Sequence, residues 1–304
     1  MARLPEEHAG VADADLAGTT AVVTGSTSGI GREIALSLGR LGADVVGHGR
    51  DRDAGSAVVA ELDETAGSGT FVAADFATQD GVREFATTVQ ERVDSIDLLF
   101  NNAGAMFRSG HVTEDGIEAT FAVNHLAPFL LTHLLFPSLT AGGRVVTTSS
   151  GAHRQARIDF ESLRTVDGYS STTAYAQSKL ANVLFTREIA RRTDRVTAHC
   201  FDPGFVPGSD FFRAMPAVMR LQMAAASLIP GAGRSVEEGA ATGVYLGVSD
   251  AVAETSGKYF SRCSERRPSN AARNDQTARR LWEVSESLTG IESSELLTLA
   301  SESE

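Results

Sequence analysis

A tyrosine and a lysine four residues apart, Tyr175 and Lys179, are the residue types and spacing in this sequence that most directly suggest chemistry. They lie in TAYAQSKLANVLF (173–185), and Lys179 is one of only two lysines among 27 basic residues. On a helix, this spacing places both side chains on one face, one turn apart. A nearby ammonium lowers a tyrosine pKa from about 10, which makes the phenol a usable general acid and base. An ordinary helix-surface pair has the same spacing, so the pair alone is a weak signal.

Polar residues in two other segments could complete a site around this pair. Ser149 and Ser150 end the apolar run GRVVTTSS (143–150), and Asn124 interrupts the apolar stretch FAVNHLAPF. A buried Asn must find hydrogen-bond partners, so Asn124 indicates either a polar site or a capping or core amide. The serines either contribute to a site at the carboxyl edge of a sheet or simply end a strand.

A glycine-rich segment, TGSTSGIG (24–31), follows a short β-branched run and precedes a helical pattern. Its spacing is Gly25-x3-Gly29-x-Gly31. Glycines let the backbone approach a phosphate closely, and the start of a helix offers N–H groups and a positive dipole end to a pyrophosphate. The small hydroxyls of Ser26, Thr27 and Ser28 can add hydrogen bonds. The segment predicts a nucleotide-binding turn, although such turns also occur without a ligand.

The end of the second predicted strand, GHGRD (47–51), bears on which dinucleotide would bind. NAD-binding proteins usually place an acidic residue there to hold the ribose 2′-hydroxyl, whereas a 2′-phosphate favours Arg. Gly49 stands at the acidic position and Arg50 follows. The pattern favours NADP, with NAD still possible because Asp51 lies one residue further on and Arg50 could simply pair with Asp51 or Asp53.

Short apolar runs alternate with helical periodicity through most of the chain. The predicted strands are 20–25, 43–49, 70–75, 96–101, 143–150, 195–202 and 257–260, and the predicted helices are 30–42, 52–66, 79–93, 113–139 and 172–192. Buried strands separated by helices indicate a parallel sheet with right-handed crossovers. The fold class predicted is α/β, a single doubly wound Rossmann-type domain with a mostly parallel sheet of about seven strands.

The domain is predicted to span 16–290, between an N-terminal tail (1–15) and a polar C-terminal tail (291–304) that are expected to fray. The formal net charge of −12 argues against binding nucleic acid or an anionic membrane surface. Two cysteines form neither a disulfide framework nor a metal-ligand spacing, which favours a reducing cytoplasm. The apolar run at 126–136 is shorter than the ~20 residues of a membrane span, so we expect a buried core helix and no span.

Taken together, these motifs resemble the short-chain dehydrogenase/reductase family over residues 15–290. NNAG (101–104) resembles its motif after the fourth strand, YAQSK its catalytic Tyr-x3-Lys, and DPG (202–204) its Pro-Gly under the nicotinamide. FAVNHLAPFLLTHLL, SSGAHR and RRLWEVS resemble the retinol-dehydrogenase-like branch. The chain departs from the family at Asp202, where His is common, and at Gly208, where a Ser or Thr is common and Ser209 lies beside it.

The resemblance implies an NADP-preferring oxidoreductase that transfers a hydride between the nicotinamide and an apolar carbonyl or alcohol substrate, with no metal. Tyr175 would protonate the alkoxide, Lys179 would lower the Tyr175 pKa, Ser150 rather than Ser149 would position the carbonyl oxygen, and Asn124 would hold Lys179 through a water. The implied cofactor contacts are Gly25, Ser26, Ser28, Gly29, Ile30, Gly31, Arg50, Asp75, Phe76, Asn102, Ala103, Gly104, Tyr175, Lys179, Pro203, Gly204 and Val206. The alternatives are a catalytically silent NADP-binding sensor and an extended-type epimerase or dehydratase.

The substrate side of the site would involve residues 205–235. Met215, Met219 and Met223 recur there at helical spacing, which predicts either a flexible apolar lid or a helix packed on the core. His153, Arg154 and Arg157 could border the pocket or lie in a solvated loop. The family resemblance also implies a homo-oligomer, a dimer or tetramer, that pairs through the helices at 113–139 and 172–192.

Overall fold

The fold is an α/β structure built on one eight-stranded sheet, as seen in a computed structural model that describes residues 3–207 and 233–291. The strands are β1 Thr20–Val23, β2 Asp44–Gly49, β3 Ser68–Ala73, β4 Ile96–Asn101, β5 Leu139–Thr148, β6 Thr197–Asp202, β7 Lys258–Ser261 and β8 Ser264–Arg266. Their order is β3-β2-β1-β4-β5-β6-β7-β8, and only β8 runs antiparallel to its neighbour. The predicted fold class is confirmed, with one strand more than expected because β8 is short, exposed and polar and so carries no apolar signal.

Helices cover both faces of the sheet. Those described are α1 Pro5–Ala9, α2 Gly29–Arg40, α3 Arg52–Leu62, α4 Gln79–Arg92, α5 Ala119–Phe121, α6 Ala127–Leu135, α7 Ser171–Arg192, α8 Val236–Val248 and α9 Asp275–Thr289. Alternate residues of β1 face opposite layers: Val23 packs in the core cluster with α2 and α8, while Val22 packs in the cluster with α4, α6, α7 and α9. The strand order reverses between β1 and β4, which opens a crevice at the carboxyl edge of the sheet.

The N-terminal segment differs from its prediction. Residues 5–9 form α1, which packs against α2 and α8 rather than fraying. Glu6 is buried, and its carboxylate accepts hydrogen bonds from Arg40 Nε at 2.6 Å and Ser37 Oγ at 2.7 Å. The sequence PEEHA looks polar in isolation, and only the tertiary partners of Glu6 make it part of the core.

The predicted helix over 113–139 is shorter and irregular in the structure. It begins at Ala119, passes through a π-helical turn at Ala122–Leu126, and gives way to β5 at Leu139. In the described part of the chain, Ala119–Ser138 is the one helical stretch long and apolar enough to cross a membrane. The expectation that the apolar helix is too short for a span, which was based on 126–136, is therefore wrong, because the helix has 20 residues. Its apolar window is 89% buried within the fold, as expected of a core helix.

Candidate active site

The Tyr175 phenol lies near the start of α7, and its hydroxyl is hydrogen-bonded to Ser150. Ser170 caps the helix by accepting a hydrogen bond from Thr173 N–H, which fixes where α7 begins. Burial raises the pKa of Tyr175 to about 12; the Ser150 hydrogen bond lowers it in part, and the charge of Asp202 raises it further. The expected lowering of this pKa is therefore wrong for the protein alone, because desolvation outweighs the hydrogen bond.

Lys179 lies one turn further along α7 and is almost completely buried. Its Nζ donates a hydrogen bond to the Thr148 carbonyl at 3.1 Å and lies 5.7 Å from the Tyr175 ring centroid. Desolvation lowers the pKa of Lys179 to about 8. Asn182, three residues on, donates to the same carbonyl at 3.1 Å. These two bonds fasten α7 to the end of β5 and set the position of the ammonium.

The two adjacent serines have different environments. Ser149 is buried, and its Oγ donates to the Lys179 carbonyl at 2.8 Å. Ser150 begins a short 3₁₀ turn, where its Oγ accepts a hydrogen bond from Ala152 N–H at 3.2 Å and also reaches Tyr175. The geometry places Ser150, not Ser149, beside the phenol.

Asn124 lies in the π-helical turn and closes the loop that follows β4. Its Oδ1 accepts from Ala105 N–H at 2.7 Å, and its Nδ2 donates to the Ala105 carbonyl and to Ser178 Oγ, each at 2.9 Å. A Cβ added at Gly104 would lie 3.3 Å from Asn124 Oδ1 and 3.4 Å from Lys179 Nζ. The missing side chain at Gly104 therefore leaves room for both the Asn124 amide and the Lys179 ammonium.

The glycine turn at 25–31 is shaped by close backbone approach. A Cβ at Gly31 would lie 2.2 Å from the Gly25 carbonyl oxygen, and Gly25 and Gly29 have φ of +69° and +56°. Helix α2 starts at Gly29 after Ser28, and no side chain caps that start within the described residues. The turn therefore presents the N–H groups of a helix N-terminus, and its glycines leave a space that side chains would otherwise fill. Both features suit the binding of a pyrophosphate.

The NNAG segment is tied directly to this turn. Thr24 Oγ1 accepts from the backbone N–H groups of Asn102 at 2.9 Å and Ala103 at 3.0 Å, while Asn102 Nδ2 donates to the Thr24 carbonyl at 3.0 Å. These bonds join the carboxyl ends of β1 and β4 on either side of the crevice.

His48 supports the glycine turn from below and was missed by sequence reasoning. Its Nδ1 accepts from Gly25 N–H at 3.2 Å, and its Nε2 donates to the Ala74 carbonyl at 3.2 Å. Phe76, one of the predicted cofactor contacts, is buried and stacks on the His48 ring at 3.8 Å between centroids, next to Asp75. Burial lowers the pKa of His48 to about 4, so the ring is neutral. The available signal was a histidine inside an apolar strand.

Three residues at the end of β2 bear on the choice between NADP and NAD. A Cβ at Gly49 would lie 2.6 Å from Thr27 Cγ2, so a side chain there would require Thr27 to move. Arg50 is exposed. Asp51 is the nearby acidic residue that would favour NAD. It caps α3 by accepting hydrogen bonds from the N–H groups of Asp53 and Ala54, each at 3.0 Å. Its carboxylate is therefore committed to the helix.

The Asp-Pro-Gly segment after β6 closes the other side of the crevice. Asp202 Oδ1 accepts from Gly204 N–H at 2.9 Å, and Gly204 has a φ of +83°. Arg234 Nη1 donates to the Pro203 carbonyl at 3.1 Å, and Val206 is buried. Asp202, where the family often has His, thus stabilises the turn and adds negative charge near Tyr175.

Two of the three candidate pocket residues, His153 and Arg154, form hydrogen bonds that fix the segment after Ser150. His153 is buried; its Nδ1 donates to the Ser150 carbonyl at 2.7 Å and its Nε2 accepts from Ser269 N–H at 3.2 Å. Arg154 Nη2 donates to the Arg267 carbonyl at 2.8 Å, and Arg157 is exposed. The predicted methionine stripe, together with Gly208 and Ser209, lies outside the described residues.

Comparison with known proteins agrees with this architecture. The sequence model of the family described as short chain dehydrogenase matches residues 19–217. The chain belongs to this family. A solved structure of an uncharacterized protein from Mycobacterium paratuberculosis superposes with a TM-score of 0.74 at 32% identity, over 92% of this chain and 96% of that one. A blue fluorescent protein from a metagenomic library, solved in complex with NADPH, has a TM-score of 0.66 at 28% identity, with 81% and 96% covered.

Curated relatives confirm the resemblance to the retinol-dehydrogenase-like branch. Dehydrogenase/reductase SDR family member 13 of Bos taurus is 42% identical over 91% of this chain and 75% of its own length. Retinol dehydrogenase 14 of Mus musculus is 37% identical over 90% and 86%. A Streptomyces protein (strain C5), "Putative daunorubicin C-13 ketoreductase DnrU", is 38% identical over 94% and 98%.

Proposed function

We propose that this protein is an NADP-dependent oxidoreductase that interconverts an apolar carbonyl compound and its alcohol. The observation that carries the proposal is the Tyr175–Ser150 hydrogen bond beside the buried Lys179, at the sheet edge that also holds the glycine turn. The names of the relatives, retinol dehydrogenase and ketoreductase, support a carbonyl or alcohol substrate. The neighbour solved with NADPH supports the cofactor.

The residues present fit NADP. The glycine turn and the start of α2 would bind the pyrophosphate, and Arg50 would bind the 2′-phosphate, since Gly49 carries no competing acidic group. Asp75 would lie at the adenine, and Lys179 would hold the nicotinamide ribose. The remaining contacts on the nicotinamide side would come from Asn102, Ala103, Gly104, Pro203, Gly204 and Val206. Bound NADP(H) supplies the hydride chemistry at C4 of the nicotinamide.

The protein contributes the proton and the position of the substrate oxygen. With a pKa of about 12, Tyr175 holds its proton at neutral pH and is the general acid for reduction. Its O–H bond breaks as an O–H bond forms on the substrate alkoxide. The Lys179 ammonium, charged below its pKa of about 8, stabilises the phenolate left behind. Ser150 hydrogen-bonds both the phenol and the substrate oxygen, and Asn124 fixes the loop around Gly104.

Three further assignments accompany the proposal. The domain is assigned to residues 16–290, with α1 docked onto it. A cytoplasmic location is supported by the two free cysteines, and the burial of the Ala119–Ser138 helix supports a core role for this one candidate span among the described residues. Assembly as a homo-oligomer rests on analogy with the family.

The proposal is tested by following NADPH and NADH absorbance with a panel of aldehydes, ketones and alcohols that includes retinoids and steroids. We expect turnover with at least one apolar carbonyl compound and a preference for NADPH, and Arg50→Ala should reduce that preference. Tight NADPH binding without turnover of any compound would instead favour the silent sensor.

A further inference from the structure

A second polar cleft lies toward the amino end of β7, and the segment that follows β8 on its rim is hydrogen-bonded to Arg154 and His153 beyond the Ser150 turn. It has a volume of about 380 Å³ and is formed by the start of β7, the strand β8, the segment after it, and the second half of α7. Its basic lining residues are Arg187, Lys258, Arg266, Arg267 and Arg273, against one acidic residue, Glu265. We call it the basic cleft. Five cations gathered in one cleft stand out in a chain whose net charge is −12.

Only part of this positive charge is neutralised by the protein. Lys258 Nζ pairs with Glu265 at 3.3 Å, and Arg187 Nη2 pairs with Asp275 at 3.2 Å. Asp275 is also shared with Arg191, so its single charge serves two guanidinium groups. Within residues 3–207 and 233–291, no carboxylate forms an ion pair with the other three basic residues, Arg266, Arg267 and Arg273.

Two donors on residues that line the cleft are buried without an acceptor among the described residues. The Nε atoms of Arg187 and Arg273 are inaccessible to solvent and make no hydrogen bond with any described residue. A buried donor left unsatisfied is costly, and such groups are rare in folded proteins. Because these two atoms are shielded from solvent, an anion in the cleft would act on the exposed parts of the guanidinium groups, as their counter-charge.

The basic cleft is separate from the proposed NADP site. Arg187 is twelve residues beyond Tyr175 on α7, which is roughly 18 Å at 1.5 Å per residue. In the sheet, β7 is four strands from β1, or roughly 19 Å at the usual strand spacing. Lys258 opens β7, so the cleft lies toward the amino end of that strand, whereas the glycine turn lies at the carboxyl end of β1.

We propose that the basic cleft binds a small polyvalent anion that carries phosphate groups. Guanidinium groups form bidentate, charge-assisted hydrogen bonds with phosphate oxygens, and four of the five cations here are arginines. The volume accommodates a group the size of pyrophosphate or a phosphorylated metabolite. This proposal does not depend on the chain's catalytic activity.

The test is isothermal titration of the full chain with inorganic pyrophosphate at constant ionic strength, with saturating NADPH to occupy the other phosphate site. The variant Arg266→Gln/Arg267→Gln removes two exposed cations from the cleft. The control Arg3→Gln/Arg92→Gln removes two exposed cations that do not line the cleft, so both proteins have the same net charge. Thermal unfolding of both verifies that they are folded.

We expect saturable binding with one site per chain, weakened at least about tenfold in the cleft variant and unchanged in the control. Glu265→Gln should strengthen binding, because it removes the one negative charge that lines the cleft. Equal weakening in both double variants would show a general charge effect and overturn the proposal. The absence of saturable binding in the wild-type protein would overturn it as well.

Discussion

The two sides of the crevice depend on different features of the chain. On the glycine-turn side, function depends on side chains that are missing, because a Cβ at Gly31 or Gly49 would collide with neighbouring atoms. On the catalytic side, function depends on polar side chains held where burial shifts their pKa, to about 8 for Lys179 and about 12 for Tyr175. Substitutions should therefore disrupt packing on the first side, and on the second side they should separate stability from turnover.

The variant Lys179→Met should show the largest separation between stability and turnover. Turnover should fall on the order of 10³-fold, because the phenolate loses its counter-charge. Stability should rise, since the folded pKa of about 8 lies below the ordinary 10.5 and the charged lysine therefore bears a desolvation cost. Lowering the pKa by about 2.5 units corresponds to about 3 kcal/mol, part of which is offset by the lost hydrogen bond to Thr148.

The sign of this effect is checked by its pH dependence. Below pH 8, Lys179 is charged in both the folded and the unfolded chain, so the full desolvation cost lowers the stability of the wild-type protein. Between pH 8 and 10.5 the unfolded chain binds more protons, so the stability of the wild-type protein rises with pH and its deficit relative to Lys179→Met disappears. Urea unfolding of both proteins from pH 7 to 10 measures this. A Lys179→Met protein that is less stable than wild type at pH 7 would contradict it.

Gly31→Ala should produce the largest effect on the binding side. Alanine normally stabilises a helix relative to glycine by about 1 kcal/mol, but here its Cβ would lie 2.2 Å from the Gly25 oxygen. We expect the Kd for NADPH, measured by fluorescence titration, to rise by about 100-fold as the turn is displaced. Gly116→Ala is the control for a strained glycine away from the turn: its φ of +74° costs stability, nothing lies within 4 Å of its added Cβ, and NADPH binding should not change. Unchanged binding by Gly31→Ala would refute the close-approach argument.

The adjacent serines offer a matched pair on the catalytic side. Ser150→Ala should lower kcat by about 100-fold, because Ser150 contacts the Tyr175 phenol, and loss of its hydrogen bond from Ala152 N–H should cost about 1 kcal/mol of unfolding free energy. Ser149→Ala should lower the unfolding free energy by about 1 kcal/mol, since its buried hydroxyl bonds the Lys179 carbonyl. Steady-state kinetics distinguish the two, since only Ser150→Ala should lower kcat, and urea unfolding verifies that both variants are folded; a loss of kcat in Ser149→Ala alone would reassign the catalytic serine.

The smallest expected effect concerns His48, the support of the glycine turn. In His48→Gln the amide can still reach the Ala74 carbonyl, but the acceptor for Gly25 N–H is lost. In His48→Asn the acceptor near Gly25 can be kept. We expect the Kd for NADPH to rise about tenfold in His48→Gln and less in His48→Asn, because an unsatisfied buried N–H costs about 1–3 kcal/mol. Equal effects would mean that ring packing, not the hydrogen bond, matters.

The fold and most of the candidate site could be predicted because their signals are local. Strand β4 at 96–101 is centred on the apolar run LLF (98–100), and the glycine turn and Tyr-x3-Lys spacing are readable within eight residues or fewer. Features that depend on tertiary partners could not be predicted. Docking of α1 through Glu6 and the raised Tyr175 pKa both follow from burial, which no short segment encodes.

The most direct test of the proposed chemistry is Tyr175→Phe, compared with wild type in NADPH binding and in single-turnover reduction of an accepted carbonyl compound. Only the phenolic hydroxyl is removed, so the Kd for NADPH should stay within about twofold while the rate of reduction falls by about 10³-fold or more. Reduction at close to the wild-type rate by a folded, NADPH-bound Tyr175→Phe protein would contradict the assignment of Tyr175 as the proton donor.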